Sequence, residues 1–286
     1  MKCFYHSADL DGHCSGAIVK QKYPDCEMIG INYGQSFPWG DIEEGETIYM
    51  VDFGLQPFSD MEELNNVCDL HWIDHHKTAI ADADAVGFVA GGGQLLEEGK
   101  AGCELTWIYL YGPEVPPPHP VWLLGRYDVW DHASSEDILP FQYGMRQFSN
   151  TLPDNTEFWE DVFLYDVWDK IVDSGKLFLH YEASQNEKFC KVYAFETYIQ
   201  HDGYDVFAIC ANRGFTNSKL FDSVYDPDRH HIMMSFIRLK LPAEKWTVSL
   251  YSTRDDVDCG AIAKAYGGGG HKGAAGFQCT TLPFRI

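Results

Sequence analysis

The sequence predicts an α/β chain of two domains, a doubly wound parallel sheet followed by a smaller α/β unit, and three observations carry that expectation. Its 286 residues exceed the usual domain size of about 100–200 residues. Up to about residue 100, short apolar runs alternate with helical or loop segments, the pattern of parallel strands joined by crossovers. After His201 strand-type runs return, separated from the first set by a long aromatic-rich stretch with few β signals.

In chain order, Lys2–His6, Met28–Tyr33, Thr47–Asp52 and Leu70–Ile73 read as strands, each a short run rich in β-branched, aromatic or aliphatic residues. Gly12–Lys22, opening just after an Asp-Gly turn, reads as a helix, and so does Pro57–Val67, which starts on a helix-compatible proline. Leu105–Tyr111, Val121–Trp130, Phe158–Trp168 and Ile171–Tyr193 are expected helices, the first two separated by the stiff Pro116-Pro117-Pro118 run. The long segment ending near Tyr198 is the expected connector. Beyond it, Tyr204–Ala211, His230–Leu239 and Trp246–Ser252 are expected strands, followed by a short helix over Cys259–Tyr266 and the glycine run Gly267–Gly270.

Composition sets the outer bounds. At 45% hydrophobic and 15% aromatic, the chain can bury a sizeable core, which excludes disordered and fibrous classes. Forty-three acidic against 21 basic side chains give a formal net charge of −22, which repels long polyanions at a distance. Long duplex nucleic acid and membrane surfaces are therefore not expected partners. A small phosphorylated substrate stays compatible if divalent metals neutralise several carboxylates. The nine cysteines are odd in number, scattered, and form no C-x-x-C pair, so no disulfide framework is expected. The segment MKCFYHSADLDG has acid and His where a signal peptide needs an apolar run, and no stretch approaches the roughly 18 apolar residues of a membrane span. A cytoplasmic location is expected.

Four segments place oxygen or imidazole donors at element ends, where an α/β sheet binds its ligands. In His6-Ser7-Ala8-Asp9-Leu10-Asp11-Gly12, an extended stretch would turn Asp9 and Asp11 to one side with His6 close behind. Val51-Asp52-Phe53-Gly54 puts an acid directly after an apolar strand, and Trp72-Ile73-Asp74-His75-His76-Lys77 puts two histidines behind another. Gly125–His132 adds Asp128, Asp131 and His132. Each segment alone has a plain structural reading as a capping Asp, a turn, a polar loop or an amphipathic helix. Together they offer hard oxygen ligands and a few imidazoles without thiolates, which suits Mn²⁺ or Mg²⁺ better than structural Zn²⁺. A carboxylate shared by two ions would make a paired-metal hydrolytic site.

Asp74-His75-His76, placed after the Asp9-x-Asp11 and Asp52 motifs, resembles the signature of the DHH phosphoesterase superfamily. The run Gly267-Gly268-Gly269-Gly270-His271-Lys272-Gly273-Ala274-Ala275-Gly276-Phe277 is similar to the glycine-rich signature of the companion DHHA1 domain. The motifs span residues 6 to 277, nearly the whole chain. The resemblance implies a DHH catalytic domain over 1–150, a helical connector over 151–200 and a DHHA1 substrate-binding domain over 201–286.

The same resemblance implies two Mn²⁺ ions per site, with Mg²⁺ or Co²⁺ as substitutes. His6 and Asp9 would hold one ion, Asp11, His75 and Asp128 the other, and Asp52 would bridge them. His76 would face the phosphate and Asp74 would orient the histidine pair. Two residues, Ser7 and Ala8, stand between the first His and the first Asp, where many members have three. Gly268, Gly269 and Gly270 would let the backbone approach a phosphate, with His271 adding positive charge, and Arg254 and Asn212 at strand ends would add substrate contacts.

Among members of this superfamily the chain resembles nanoRNase-type oligoribonucleases and RecJ-like phosphodiesterases. The implied activity is hydrolysis of short oligonucleotides or dinucleotides, linear or cyclic, to mononucleotides by a two-metal-activated water, rather than RecJ-like processive exonuclease action. The net charge of −22 and the lack of a lysine-rich stripe favour short substrates over long single strands. Two other readings stay open, a phosphatase acting on 3′-phosphoadenosine 5′-phosphate or a similar small phosphoester, and a non-catalytic nucleotide-binding scaffold. No membrane partner is expected, and a homodimer is left open.

Overall fold

The computed structural model describes residues 1–165, 167–240 and 243–285. Asp166, inside the expected Phe158–Trp168 helix, and Ile286, at the end of the expected 201–286 domain, lie outside the described residues. The chain divides into two compact units, Met1–Phe178 and Leu179–Ile286.

The first unit opens with β1 (Lys2–His6), α1 (Leu10–Lys22), β2 (Glu27–Ile31), β3 (Thr47–Val51), α2 (Ser59–Val67), β4 (Asp69–Asp74), α3 (Lys77–Val86) and β5 (Gly93–Leu96). The strands form a parallel sheet in the order β2-β1-β3-β4-β5. Because the chain winds outward from β1 on one side and from β3 on the other, the carboxyl edge between them is a topological switch point. Both faces of the sheet are covered, which is why β1 (KCFYH) and β3 (TIYMV) read as nearly continuous apolar runs. Phe4, Met50 and Trp72 pack on one face with Met61 and Leu64 of α2, and Cys3, Tyr5 and Ile73 pack on the other with Val19 of α1.

Helices α4 (Gly102–Tyr111), α5 (His119–Asp128), α6 (Ile138–Met145), α7 (Thr156–Leu164) and α8 (Trp168–Tyr193) follow. Ile18, Leu123, Phe141, Trp159 and Val172 are buried together, so the aromatic texture of this stretch is the core of a helical layer. The boundary between the two compact units falls inside α8.

The second unit contains β6 (Phe195–His201), β7 (Tyr204–Asn212), β8 (Ile232–Arg238), β9 (Trp246–Tyr251), α9 (Cys259–Ala265), β10 (Gly269–Gly270) and β11 (Ala274–Cys279). Its sheet has the order β10-β11-β9-β8-β7-β6, antiparallel except for the β7–β8 pair. Cys259, Ile262 and Ala263 of α9 pack on Val248, Leu250 and Phe277.

Several local expectations are corrected. The end of the expected connector, Phe195–Tyr198, is strand rather than helix: Thr197 and Ile199 are buried while Glu196, Tyr198 and Gln200 between them are exposed, a period of two. Asp202 and Gly203, with φ of 49° and 82°, make the tight hairpin turn to β7 that an Asp-Gly pair signals. Helix α2 starts at Ser59, with Pro57 in the preceding turn, where its carbonyl accepts the Asp60 amide at 3.0 Å. Helix α5 ends at Asp128 rather than Trp130, whose φ of 61° leaves the helix. Helix α7 ends at Leu164, short of the expected Trp168. Elements α3, β5 and α6 were not anticipated: β5 is only four residues (GQLL) and α6 (ILPFQYGM) carries both Pro and Gly.

Candidate metal centre

The carboxyl edge of the first sheet gathers the donors. His6 ends β1, Asp52 follows β3, and Asp74 ends β4 with His75 and His76 directly after it. Asp52 has φ of 55°, a left-handed conformation that Asp tolerates better than most residues. Its amide donates to the Ile73 carbonyl at 2.9 Å, tying it to β4 while its side chain is only 2% exposed.

The stretch from Asp9 to Asp11 is not extended throughout, contrary to the sequence expectation. Asp9 is the N-cap of α1, accepting the Gly12 amide at 3.0 Å, so the chain is already helical at Asp11, and the two carboxylates join different donor groups of one cluster. Asp11 is buried, and its two oxygens accept the amides of Gly102 and Cys103 at 2.8 Å each. These amides open α4, whose positive helix end favours a carboxylate. The close approach depends on Gly102: a Cβ there would stand 2.6 Å from the Asp52 Cβ. Gly102→Ala is expected to separate α4 from Asp52 and to weaken divalent-metal affinity by about tenfold or more, the size seen when residues supporting metal ligands are changed. A metal titration checks this, with cooperative unfolding of the variant as the fold control.

Three overlapping groups of donor atoms result, each with its atoms within 4.8 Å of one another: His6–Asp9–Asp52, Asp11–His75–Asp128 and Asp52–His75–His76. Asp52 belongs to two of them and meets the third at His75. His6 Nδ1 lies 3.1 Å from Asp9 Oδ2 and 3.6 Å from Asp52 Oδ2. His75 Nε2 lies 3.1 Å from Asp52 Oδ1, 3.4 Å from Asp128 Oδ2 and 3.6 Å from Asp11 Oδ2. Despite these approaches, the buried His6 Nδ1 and Asp52 Oδ1 make no hydrogen bond among the described residues. Donor atoms that crowd one another without bonding, in a set of carboxylates and imidazoles with no thiolate, fit hard divalent cations such as Mn²⁺ or Mg²⁺.

The protonation pattern agrees. Burial pushes the Asp11 carboxyl well up, and the Asp52 and Asp128 charges push it further. Burial and then Asp52 raise Asp128 to about 6. Burial acts upward on Asp52 too, but His6 and His75 outweigh it and hold Asp52 at about 2. Burial disfavours the charged forms of His6 and His75, yet the surrounding carboxylates hold both up at about 10. Protons on the histidines thus supply the positive charge that this acidic cluster demands.

Asp74, fully buried, accepts the amides of His75 and His76 at 2.8 and 3.1 Å and His76 Nδ1 at 2.7 Å, all on Oδ1. It fixes the histidine turn and one ring nitrogen, leaving Nε2 as the uncommitted atom of His76. Asp74→Asn is expected to weaken divalent-metal affinity by about 10–100-fold while the fold persists, a loss a metal titration would measure. Asp131 and His132 stay outside the three groups: Asp131 pairs with Arg126 and Ser134, and His132 stacks on Tyr127.

In the second unit, Asn212 ends β7 and is exposed. The Arg254 guanidinium is held by both Asp256 oxygens, at 2.9 and 2.6 Å, and by the Pro227 carbonyl at 2.7 Å. His271 is exposed, its amide bonded to the Ala274 carbonyl at 2.7 Å. The glycine run is strand rather than free loop over Gly269–Gly270. Gly270, with φ of 138°, would place a Cβ 2.5 Å from Ala275 Cα, so the β10–β11 pairing itself requires glycine there. Sequence reasoning missed Gly102 with the α4 N-terminus, and it missed Tyr33 and Phe53, whose rings flank His6.

No family model matches this sequence. The chain is 24% identical over 248 residues to an uncharacterised protein, R106, of Acanthamoeba polyphaga mimivirus, an alignment covering 84% of this chain. The chain spans about half the length of that relative, 55%. Among solved structures, the chain is similar to the DHH domain of a protein described as a member of a family of ribosomal proteins, with a TM-score of 0.53 at 13% identity, over 96% of this chain and 81% of that one. The chain has the fold of a DHH-domain protein. Similar in the same sense are a pGpG-specific phosphodiesterase from Vibrio cholerae and an exopolyphosphatase-related protein from Bacteroides fragilis. The first has a TM-score of 0.58 at 12% identity over 97% of this chain and 92% of that one. The second has a TM-score of 0.50 at 12% identity over 98% and 87%. In this DHH-type fold, the His6, Asp52, His75 and His76 donors lie on the edge that doubly wound sheets use for ligands.

Proposed function

We propose that this chain is a divalent-metal-dependent phosphodiesterase, using Mn²⁺, that hydrolyses short oligonucleotides or dinucleotides, linear or cyclic, to mononucleotides. The observation that carries this reading is the pair of donor groups, His6–Asp9–Asp52 and Asp11–His75–Asp128, joined where the Asp52 carboxylate meets His75. Two cations held there would supply Lewis acidity at the phosphoryl oxygens and an activated water as nucleophile.

The chain's own residues orient and charge the site. Asp11 is locked by two amides of α4, so its oxygens are positioned before any cation arrives. Asp74 fixes the His76 ring through Nδ1 and, against burial, raises its pKa, so that Nε2–H can donate to a phosphate oxygen. The second unit is proposed to bind substrate phosphate through Arg254, His271 and the Gly268, Gly269 and Gly270 backbone, with Asn212 as a further polar contact. Arg254 would exchange Asp256 for phosphate, since both present paired oxygens to the guanidinium fork. A protein of the same fold that is named a pGpG-specific phosphodiesterase supports a small nucleotide ester as substrate.

The test is to incubate the Mn²⁺-loaded chain separately with a linear RNA dinucleotide, a cyclic dinucleotide, a longer RNA strand and 3′-phosphoadenosine 5′-phosphate, and to resolve the products. Mononucleotide release fastest from the dinucleotides is expected. Orthophosphate from the last substrate alone would move the assignment to a phosphatase, and Mn²⁺ binding without hydrolysis of any substrate would defeat the enzymatic reading.

A further inference from the structure

A second feature of the first unit adjoins the donor cluster. A cavity of about 280 Å³ opens between the segment following β2 and the loop following β3. Four rings, Tyr33, Phe37, Trp39 and Phe53, line it, together with Gln56 and Asp60. Tyr33 and Phe53 lie 4.6 Å apart between ring centroids, and Phe37 meets Trp39 edge-on at 4.8 Å. The same walls border the donor cluster: Tyr33 lies 5.7 Å from the His6 ring and 6.3 Å from the His76 ring, and Phe53 lies 5.8 Å from His6.

The chemistry of this lining selects its occupant. Tyr33, 41% exposed, offers stacking surface, and the Trp39 indole N–H, the Gln56 amide and the Asp60 carboxylate make no side-chain hydrogen bond among the described residues. Aromatic faces combined with uncommitted donors and acceptors suit a flat ring with polar edges. A second phosphate would meet Asp60 and the acidic cluster, and an alkyl chain would leave the polar groups without partners. The volume is at the small end for ligand sites, enough for one ring system rather than several.

We infer that this cavity is a stacking subsite for the nucleobase of the nucleoside carrying the scissile phosphate. The inference rests on the phosphodiesterase reading of the adjoining cluster and deepens it: specificity for nucleotide esters over other phosphoesters would reside in the first unit, on Tyr33, Trp39 and their neighbours.

Calorimetric binding to the Mn²⁺-loaded chain tests it, using a 5′-nucleoside monophosphate and ribose 5-phosphate as paired probes. The nucleotide is expected to bind about tenfold more tightly or better, as base stacking on aromatic side chains would give. Trp39→Ala and Tyr33→Ala are each expected to shrink that ratio, and Trp39→Phe to retain most of it; cooperative unfolding of each variant guards against a folding defect. Equal affinity for the two probes, no detectable nucleotide binding, or a ratio unchanged in both alanine variants would overturn the subsite. Hydrolysis of dinucleotides with equal probe affinities would remove the subsite and spare the enzymatic reading. A preserved, variant-sensitive ratio without any hydrolysis would do the reverse.

Discussion

Replacing Asp52 by Asn is expected to weaken both metal positions, leaving at most one ion bound, and to lower the proposed phosphodiester hydrolysis by about a thousandfold or more, the equivalent of several kcal/mol of lost metal-ion stabilisation. Among the described residues, Asp52 is the one carboxylate whose oxygens approach both His6, at 3.6 Å, and His75, at 3.1 Å. Its loss therefore loosens both donor groups at once. Asp9 belongs to one group only, and its side chain is 40% exposed, so Asp9→Asn is expected to be milder. Asn keeps the size of Asp and accepts the left-handed φ of 55° at this position, so the fold is expected to survive. Bound manganese counted by mass spectrometry, beside the rate, checks the expectation. A variant that keeps two ions would show that Asp52 does not join the groups.

Loading the metal at neutral pH is expected to expel about two protons or more, and metal affinity is expected to fall steeply as pH drops. The sign follows from the metal-free cluster. With His6 and His75 held up at about 10, both rings are protonated at pH 7, and a metal needs the neutral nitrogen. Asp128, at about 6, and Asp11, which burial pushes well up, add further proton competition as pH falls. Each imidazolium must surrender its proton for its nitrogen to bind, so lower pH favours the proton over the metal. Titration calorimetry in buffers of different ionisation enthalpy reads the proton count directly. A binding heat that does not change with the buffer would contradict this picture.

The donors were legible because their spacing follows strand ends. His6 after KCFYH, Asp52 after TIYMV and Asp74 at the end of DLHWID each sit where a parallel strand delivers its last residue to the ligand edge. The relation between Asp9 and Asp11 was not legible, because the choice between extended chain and helix start is made by the Asp9–Gly12 cap. Gly102 gives no local signal, since the reason for a glycine there is Asp52, distant in sequence and adjacent in the fold. The same holds for the glycine run near the C-terminus. Read alone it suggests a phosphate cradle, and folded it satisfies a crowded strand pair at Gly270 and Ala275. Strand β6 was hidden by its neighbour: the helical pattern of α8 runs almost without interruption into Phe195, and only the period-two burial and the Asp202-Gly203 turn separate them.

Electron paramagnetic resonance of the Mn²⁺-titrated chain shows whether one cluster holds two cations joined by Asp52. Two manganese ions per chain with a spin-coupled spectrum, reverting to at most one uncoupled ion in Asp52→Asn, is the expected result. A wild-type chain that saturates with a single uncoupled ion, or with none, would contradict it.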